Sequence, residues 1–415
     1  MVRKKFLLAG LCMLASLGAV AQKKGFSYKF YGHVRADLFY NSRANQETVD
    51  GLFNVFPKDV KLDPNGEDLN ATPNSNFYML YTRLGLDVKG PKIGKVSTKA
   101  KVEIDFRGSG STFGVIRLRH AYFNLAWDKG SSLLIGQTSY PFFGDVFPHI
   151  LNLNTGSPYQ PFGRGPQLRY RLNRKNFQLT TAFVWQSNYL SIGPNNKKSQ
   201  NYIKYSCVPD FYLGLDYKSA NWTVGIGAES TSLKPRTESE MVLADGKRTY
   251  KVNERINSVS YEAHLQYKKD DWFVAAKSTL GSNMTHTCMM GGYGVTDVNA
   301  VTGEKEYTPI RVSSTWFNMT YGKVWRPGVF VGYTKNLGTS ESLLTGYELT
   351  GLGTNLDQLV SGGAELTYNM KHWKFGLEYL YTSAHYGDVN YNDGRVYNTH
   401  TVGNHRLVAT AMFMF

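Results

Sequence analysis

The chain contains 415 residues and carries 47 lysines and arginines against 32 aspartates and glutamates, which gives a formal net charge of +15. Hydrophobic residues make up 42% of it and the mean hydropathy is −0.35, so the composition excludes a bundle of membrane-spanning helices. The cations are dispersed and form no tract, so the positive balance does not indicate nucleic-acid binding. Phosphorylated lipid headgroups or anionic solutes are better partners.

The first residues, MVRKKFLLAGLCMLASLGAVAQ, have the organisation of a secretory signal peptide. Residues 3–5 are cationic, an apolar stretch follows, and residues 19–21 (AVA) supply the small side chains of a cleavage site. We therefore predict that residues 1–21 are a cleaved signal peptide and that residues 22–415 form a single membrane domain.

From Ser27 onward, apolar and polar residues alternate in segments that each predict a strand with one apolar and one polar face. The sixteen predicted strands are 27–43, 77–89, 95–107, 113–127, 131–143, 165–172, 176–188, 210–219, 221–233, 255–269, 272–283, 311–322, 326–338, 357–370, 372–387 and 400–415. Long and short connections alternate, and the short ones carry the Gly, Asn and Asp typical of tight turns. This pattern predicts an all-β fold, a transmembrane antiparallel β-barrel with short turns on the periplasmic side of a Gram-negative outer membrane.

Aromatic residues support the barrel against its alternative, a soluble multi-strand protein. Five tryptophans fall at or near the short turns, where a periplasmic aromatic girdle would lie: Trp127, Trp222, Trp272, Trp325 and Trp373. The last strand ends with Phe413 and Phe415 on one apolar face, similar to the signal that the barrel-insertion machinery reads. An ordinary amphipathic strand is the alternative for that ending. The expected surroundings are outer-membrane lipid and lipopolysaccharide.

The phase of each strand predicts which side chains face the lumen. The first six strands contribute a basic wall made of Arg35, Arg83, Lys101, Arg107, Arg117, Arg119, Arg169 and Arg171. Later strands contribute an opposing acidic wall made of Asp216, Glu229, Glu262, Glu365 and Glu378. Walls of unlike charge would set a transverse field across a water-filled pore. The alternative for any single arginine is a structural pair with an inward carboxylate.

The third outer connection, residues 142–166, reads FFGDVFPHILNLNTGSPYQPFGRGP. An exposed loop rarely leaves so many apolar side chains uncovered. We predict that it folds into the lumen and narrows the pore, with Asp145, His149, Tyr159 and Arg164 as candidate constriction residues. The alternative is a loop that packs on the outer rim or on a neighbouring subunit.

Two stretches, KAKVEIDFRGSGSTFGVIRLRHAYFNL (99–125) and LLIGQTSYPFFGD (133–145), resemble the DcaP-like porins of Gram-negative outer membranes. The resemblance implies a sixteen-stranded trimeric channel with a basic eyelet that takes up small anionic solutes such as dicarboxylates. It supports Arg117, Arg119 and Asp145 as pore or constriction positions. The few residues before the first strand leave no room for the N-terminal helical extension that such porins can carry, so a trimer would form through the barrel walls.

Other function classes have weaker support in the sequence. We expect no enzyme activity, cofactor or metal site, because the chain lacks G-x-S-x-G, HExxH and a Cys/His set. The alternative function is a non-conducting surface or structural barrel, such as an adhesin or an accessory subunit of an envelope complex. Cys207 and Cys288 fall in predicted outer loops, where they form either a disulfide or two free thiols.

Overall fold

The computed structural model describes residues 25–48, 51–108, 114–244 and 246–415, and the predicted signal peptide lies outside these ranges. One antiparallel sheet closes on itself, and its strands follow one another around the barrel in chain order. The strands are β1 Ser27–Asn41, β2 Asn74–Tyr78 and Arg83–Lys89, β3 Ser97–Asp105, β4 Arg117–Ala126, β5 Ser131–Ser139, β6 Arg164–Arg174, β7 Phe177–Val184, β8 Asp210–Lys218, β9 Trp222–Leu233, β10 Ile256–Lys269, β11 Trp272–Ser282, β12 Lys305–Tyr321, β13 Trp325–Gly338, β14 Leu356–Asn369, β15 Trp373–Val389 and β16 Val396–Met414. The predicted sixteen-stranded barrel is confirmed.

The barrel closes between its first and last strands. β1 pairs with β16 from His33 opposite Met414 to Asn41 opposite Arg406, and on its other edge it pairs with both parts of β2. The backbone of Phe415 exchanges two hydrogen bonds with Gly32, at 3.0 and 3.1 Å, which extends the closure to the last residue. A closed sheet leaves no unpaired edge, which a strand structure in lipid requires.

The long connections contain short secondary-structure elements. They are the hairpins Asn45–Thr48 with Phe53–Pro57, Ile192–Gly193 with Lys197–Lys198 and Glu238–Leu243 with Gly246–Lys251, the strands Gly291–Val298 and Thr350–Leu352, the helix α1 Asn201–Ser206, and the 3-10 turns Pro194–Asn196 and Thr285–Thr287. Within the described ranges no helix is both long and apolar enough to cross a membrane.

Two strands differ from their predicted form. β2 is broken at residues 79–82, because the Thr82 N–H donates to the Met79 carbonyl oxygen in a turn instead of pairing with β1. β12 begins at Lys305 and pairs with Gly291–Val298, where a loop was expected. Pro309 interrupts the alternation at that point, and a proline inside a run argues against a strand unless the strand lies at an edge.

Burial alternates along the strands with a period of two. In β1, Phe30 and Leu38 are 64% and 50% exposed, whereas Arg35 and Asp37 are 7% and 2% exposed. The exposed apolar side chains form the outer face, since the inner face of a closed sheet is the one that its own side chains cover. The predicted strand phase is therefore correct in β1.

The five tryptophans predicted for the girdle all lie where short turns join the strands, and all are at least 38% exposed. Four of them contact an aromatic ring of the neighbouring strand, with centroids 4.6–4.9 Å apart: Trp222 with Tyr267, Trp272 with Tyr321, Trp325 with Tyr368 and Trp373 with Phe413. Phe413 and Phe415 are also exposed, at 37% and 54%. Their role in membrane insertion stays a prediction.

Candidate functional site

The predicted basic wall lies on the inner faces of β1–β6, where cross-strand register aligns charged side chains in rows. His33, Arg83, Asp105 and Arg117 occupy one such row across β1–β4. Six of the eight predicted residues form ion pairs with carboxylates: Arg35 with Asp37 at 2.7 Å, Arg83 with Glu103 at 3.4 Å, Lys101 with Asp87 at 3.3 Å, Arg117 with Asp105 at 2.6 Å, Arg119 with Glu103 at 2.6 Å, and Arg171 with Asp145 at 3.2 Å. Most cations of the wall therefore have a carboxylate partner, and a role of any of them toward a solute stays a prediction.

Arg107 and Arg169 have no carboxylate partner within the described ranges. Arg107 is 3% exposed and its Nε has no hydrogen-bond partner. Arg169 donates instead to neutral acceptors, the Gln167 side chain at 2.8 Å and the Ser139 carbonyl oxygen. A guanidinium stays protonated at neutral pH, so without a carboxylate partner the charge of both residues is uncompensated and leaves the wall basic.

Tyr81, which the sequence analysis did not identify, contacts several arginines of this wall. It lies in the break of β2, and four guanidinium groups surround its ring at 4.7–5.9 Å from the centroid: Arg35, Arg83, Arg107 and Arg119. The His33 side chain contacts the Tyr81 carbonyl oxygen at 3.0 Å, which replaces a strand hydrogen bond lost at the break. The ring face is electron-rich, so it attracts these cations and separates them.

Tyr189 links two further arginines to the same region. Arg117 Nη1 and Arg164 Nη1 both approach its hydroxyl oxygen, at 3.0 and 3.4 Å. Arg164 is 5% exposed and its Nε has no hydrogen-bond partner. The arginine cluster therefore consists of Arg35, Arg83, Arg107, Arg117, Arg119 and Arg164, and the carboxylates paired with it are Asp37, Glu103 and Asp105. Among the described residues, six guanidinium groups of this cluster share three ion-paired carboxylates, which leaves an excess of positive charge within the cluster.

The connection between β5 and β6, residues 140–163, is fixed to strands far from the two that it joins. Several strand side chains bond to it: Lys277 donates to Phe142 O and Phe143 O at 3.1 and 3.0 Å, Asn318 accepts from His149 N at 2.8 Å, Arg35 donates to Leu151 O at 2.6 Å, Glu378 accepts from Leu151 N and Asn152 N at 2.7 and 3.0 Å, and Trp316 donates to Gln160 Oε1 at 2.7 Å. These partners belong to β1, β11, β12 and β15.

Apolar packing reinforces these bonds. Val146, Tyr159 and Phe162 of the connection join a buried cluster with Trp316 of β12 and Phe330 of β13. The first outer connection also takes part, because Asn54 bonds to Asn152 and Asn154 at 3.0 Å and Phe53 lies 5.5 Å from Phe162. The apolar run LFNVFP (52–57) was a signal in the sequence for this second contribution.

The four predicted constriction residues have different surroundings. The Asp145 carboxylate is 49% exposed and contacts Arg171 at 3.2 Å and Lys218 at 3.0 Å. The His149 ring stacks on Phe273 with centroids 3.7 Å apart. Tyr159 is 2% exposed and its hydroxyl bonds to Ser361 at 2.6 Å, while Arg164 lies at the start of β6.

The predicted acidic wall is engaged in internal contacts. Each of its carboxylates has a partner: Asp216 with His264 at 2.9 Å, Glu229 with His286 at 3.3 Å, Glu262 with Lys277 at 2.7 Å, Glu365 with Arg326 at 3.8 Å, and Glu378 with the backbone of residues 151–152. All except Asp216 are at most 6% exposed. The transverse field between the two walls stays a prediction.

The described part of the chain contains no group of three or more His, Cys, Asp and Glu side chains that is arranged to hold a metal ion. Cys207 and Cys288 are both free thiols, which decides between the two alternatives for this pair.

Residues 19–180 match the family model described as DcaP outer membrane protein, so the predicted resemblance to DcaP-like porins is confirmed over this part of the chain. No curated protein matches the sequence significantly.

Solved structures with the same fold include the outer membrane channel DcaP of Acinetobacter baumannii, with a TM-score of 0.66 and 18% identity over 95% of this chain and 98% of that one. OmpT of Vibrio cholerae gives a TM-score of 0.56 with 11% identity over 95% and 99%, and the anion-selective porin from Comamonas acidovorans gives 0.54 with 9% identity over 94% and 100%. At these identities the likeness establishes the fold, a closed porin-type barrel.

Proposed function

We propose that this protein, an outer-membrane barrel of the porin type, forms a water-filled diffusion channel that prefers small anionic solutes such as dicarboxylates. The observation that carries the proposal is the arginine cluster, in which six guanidinium groups face three carboxylates. Field lines concentrate in a narrow aqueous space with low-dielectric walls, so this excess charge raises the local concentration of anions and repels cations.

The proposal includes a constriction. We infer that residues 140–163 cross the lumen, since the segment joins β5 to β6 while its hydrogen-bond partners lie on β11 and β12 and, further round the barrel, on β15 and β1, which flank β16. A segment inside a sixteen-stranded barrel narrows a pore that would otherwise be wide. In this arrangement Tyr159 anchors the segment through its hydrogen bond to Ser361. The partly exposed carboxylate of Asp145 is the charged group that the segment presents to the pore, where it contacts Arg171 and Lys218.

The preference for dicarboxylates follows from the residue type. An arginine guanidinium group binds a carboxylate with two parallel hydrogen bonds. Several guanidinium groups close together therefore suit a solute with two carboxylates. Arg107 and Arg164 contribute to this preference through their charge, because neither forms an ion pair within the described ranges. We also propose that the barrels associate as homotrimers through their walls, as the family resemblance implies.

Reversal potentials of single channels in a salt gradient test the proposal. The variant R107Q/R164Q removes two charges without breaking an ion pair, whereas replacing Arg117 or Arg119 would remove one of the arginine partners of Asp105 or Glu103. We expect anion preference in the wild type and a several-fold lower anion-to-cation permeability ratio in the variant. The matched control K129Q/K175Q removes two exposed turn lysines and should keep the wild-type ratio. Folded protein that conducts no ions would instead support the non-conducting surface barrel.

A further inference from the structure

We propose that the short-turn end of the lumen holds a second anion site, specific for small phosphorylated solutes, in series with the arginine cluster. This inference rests on the proposed channel function. A cavity of about 610 Å³ opens there, and its cationic lining consists of Lys29, Lys89, Lys99, Lys101, Arg169 and Arg171. Asp87 is the one acidic residue among the described residues that line it.

The register of the strands places like charges opposite one another in this cavity. Lys89 of β2 is the direct cross-strand partner of Lys99 of β3. Like charges at directly opposed positions destabilise a sheet. Neither lysine forms an ion pair within the described ranges, and Lys29 does not either, while Asp87 is shared with Lys101 at 3.3 Å. One carboxylate, Asp87, offsets only part of this repulsion, so a multiply charged anion is the fitting counter-ion.

The cavity lies on the path from the arginine cluster to the short-turn side, which faces the periplasm in outer-membrane barrels. Rows of inward residues connect the two: Lys29, Asp87, Lys101 and Tyr122 form the row that belongs to the cavity, and Tyr31, Gly85, Glu103 and His120 form the next row toward the cluster. Arg171 lines the cavity and also binds Asp145 of the 140–163 connection. A solute that passes the connection therefore reaches this site next.

The density of cations favours phosphate over a single carboxylate, because a phosphate group carries up to two negative charges and three strong acceptor oxygens on one centre. Lysine ammonium groups are compact point charges with three donors each, and Arg169 and Arg171 add donors that bind phosphate as well. Tyr122, Asn124 and Ser132 supply neutral hydrogen-bonding groups beside the cations. The volume is in the range of pockets that enclose a small organic ligand, so a sugar phosphate fits the site.

Block of single-channel current by pyrophosphate tests the inference. Pyrophosphate is added to one side of the bilayer at a time. The orientation of each channel is determined with biotin attached to the exposed Cys207, because streptavidin added on the loop side binds the biotin and changes the current, whereas streptavidin added on the other side does not. We expect stronger block from the short-turn side, and block that weakens roughly tenfold or more in the variant K29Q/K89Q/K99Q. The matched control K129Q/K175Q/K269Q removes three exposed turn lysines outside the cavity and should keep the block.

Three outcomes would overturn the inference: equal block from both sides, unchanged block in K29Q/K89Q/K99Q, or equal block by citrate, a carboxylate of comparable charge. The reversal potential is measured on the same channels. An anion-selective pore that pyrophosphate fails to block contradicts the second site alone, whereas a protein that forms no anion-selective pore contradicts the proposed function.

Discussion

The ammonium group of Lys277 lies 2.7 Å from Glu262 Oε2, and neither side chain reaches solvent. The same ammonium group donates to the carbonyl oxygens of Phe142 and Phe143, so one buried ion pair of the wall also holds the start of the 140–163 connection. Removing one partner of a buried ion pair leaves the other charge without compensation, which costs about 3–5 kcal/mol.

We therefore expect K277M to lower the free energy of unfolding by about 3–5 kcal/mol and to loosen the connection. The measurements are the thermal unfolding of the barrel and the single-channel conductance, which should rise and become noisier. An unchanged conductance in K277M would contradict a role of the connection in narrowing the pore.

The double variant K277M/E262Q separates the two effects. It removes the stranded charge, so most of the lost stability should return, but the bonds to Phe142 and Phe143 stay absent and the conductance should remain high. If the double variant restored the wild-type conductance, the hydrogen bonds from Lys277 to the connection would not be needed to keep the pore narrow.

A second prediction concerns Tyr81, whose ring separates four guanidinium groups. Y81A removes the cation–π contacts and leaves the arginines facing one another, so we expect a loss of about 1–2 kcal/mol in stability. Y81F keeps the ring and should unfold close to the wild type. Thermal unfolding of both variants checks this, and equal effects of the two substitutions would show that the hydroxyl, not the ring, is what matters.

The strand positions were predictable because each barrel strand must present apolar side chains to lipid at every second residue. β9 was predicted at 221–233 and lies at Trp222–Leu233, and β15 was predicted at 372–387 and lies at Trp373–Val389. The short turns added the second constraint, because their Gly, Asn and Asp residues mark where a strand must end. Local pattern alone therefore determined the architecture.

The interior was less predictable, since its contacts join residues far apart in the sequence. Trp316 of β12 and Phe330 of β13 point to the inner face although both are large apolar residues, because the connection covers them. The phase of a strand identifies an inward carboxylate such as Glu378 but not its partner, the backbone of residues 151–152. The break of β2 that turns Tyr81 inward has no signature in the alternation either.

A third prediction concerns the aromatic ring at the short-turn rim. Trp325 is 61% exposed and its ring lies 4.6 Å from that of Tyr368 on the neighbouring strand. Such aromatic pairs contribute about 0.5–1.5 kcal/mol beyond their buried area. W325A should destabilise the folded barrel in lipid vesicles by about that amount or more, and W325F should retain most of the stability. Urea titration monitored by the gel mobility of the folded form provides the measurement.

The two cysteines should differ sharply in reactivity toward maleimide. Cys207 is exposed at the end of α1, whereas burial raises the pKa of the Cys288 thiol to about 11. The thiolate is the reactive form, so Cys288 stays protonated and unreactive at neutral pH and gains reactivity only as the pH approaches that value. Labelling of folded protein at pH 7 should therefore modify one thiol, and C207S should abolish it, while C288S should not. Two labelled thiols at pH 7 would show that the 283–290 connection opens to solvent, and none would indicate a disulfide.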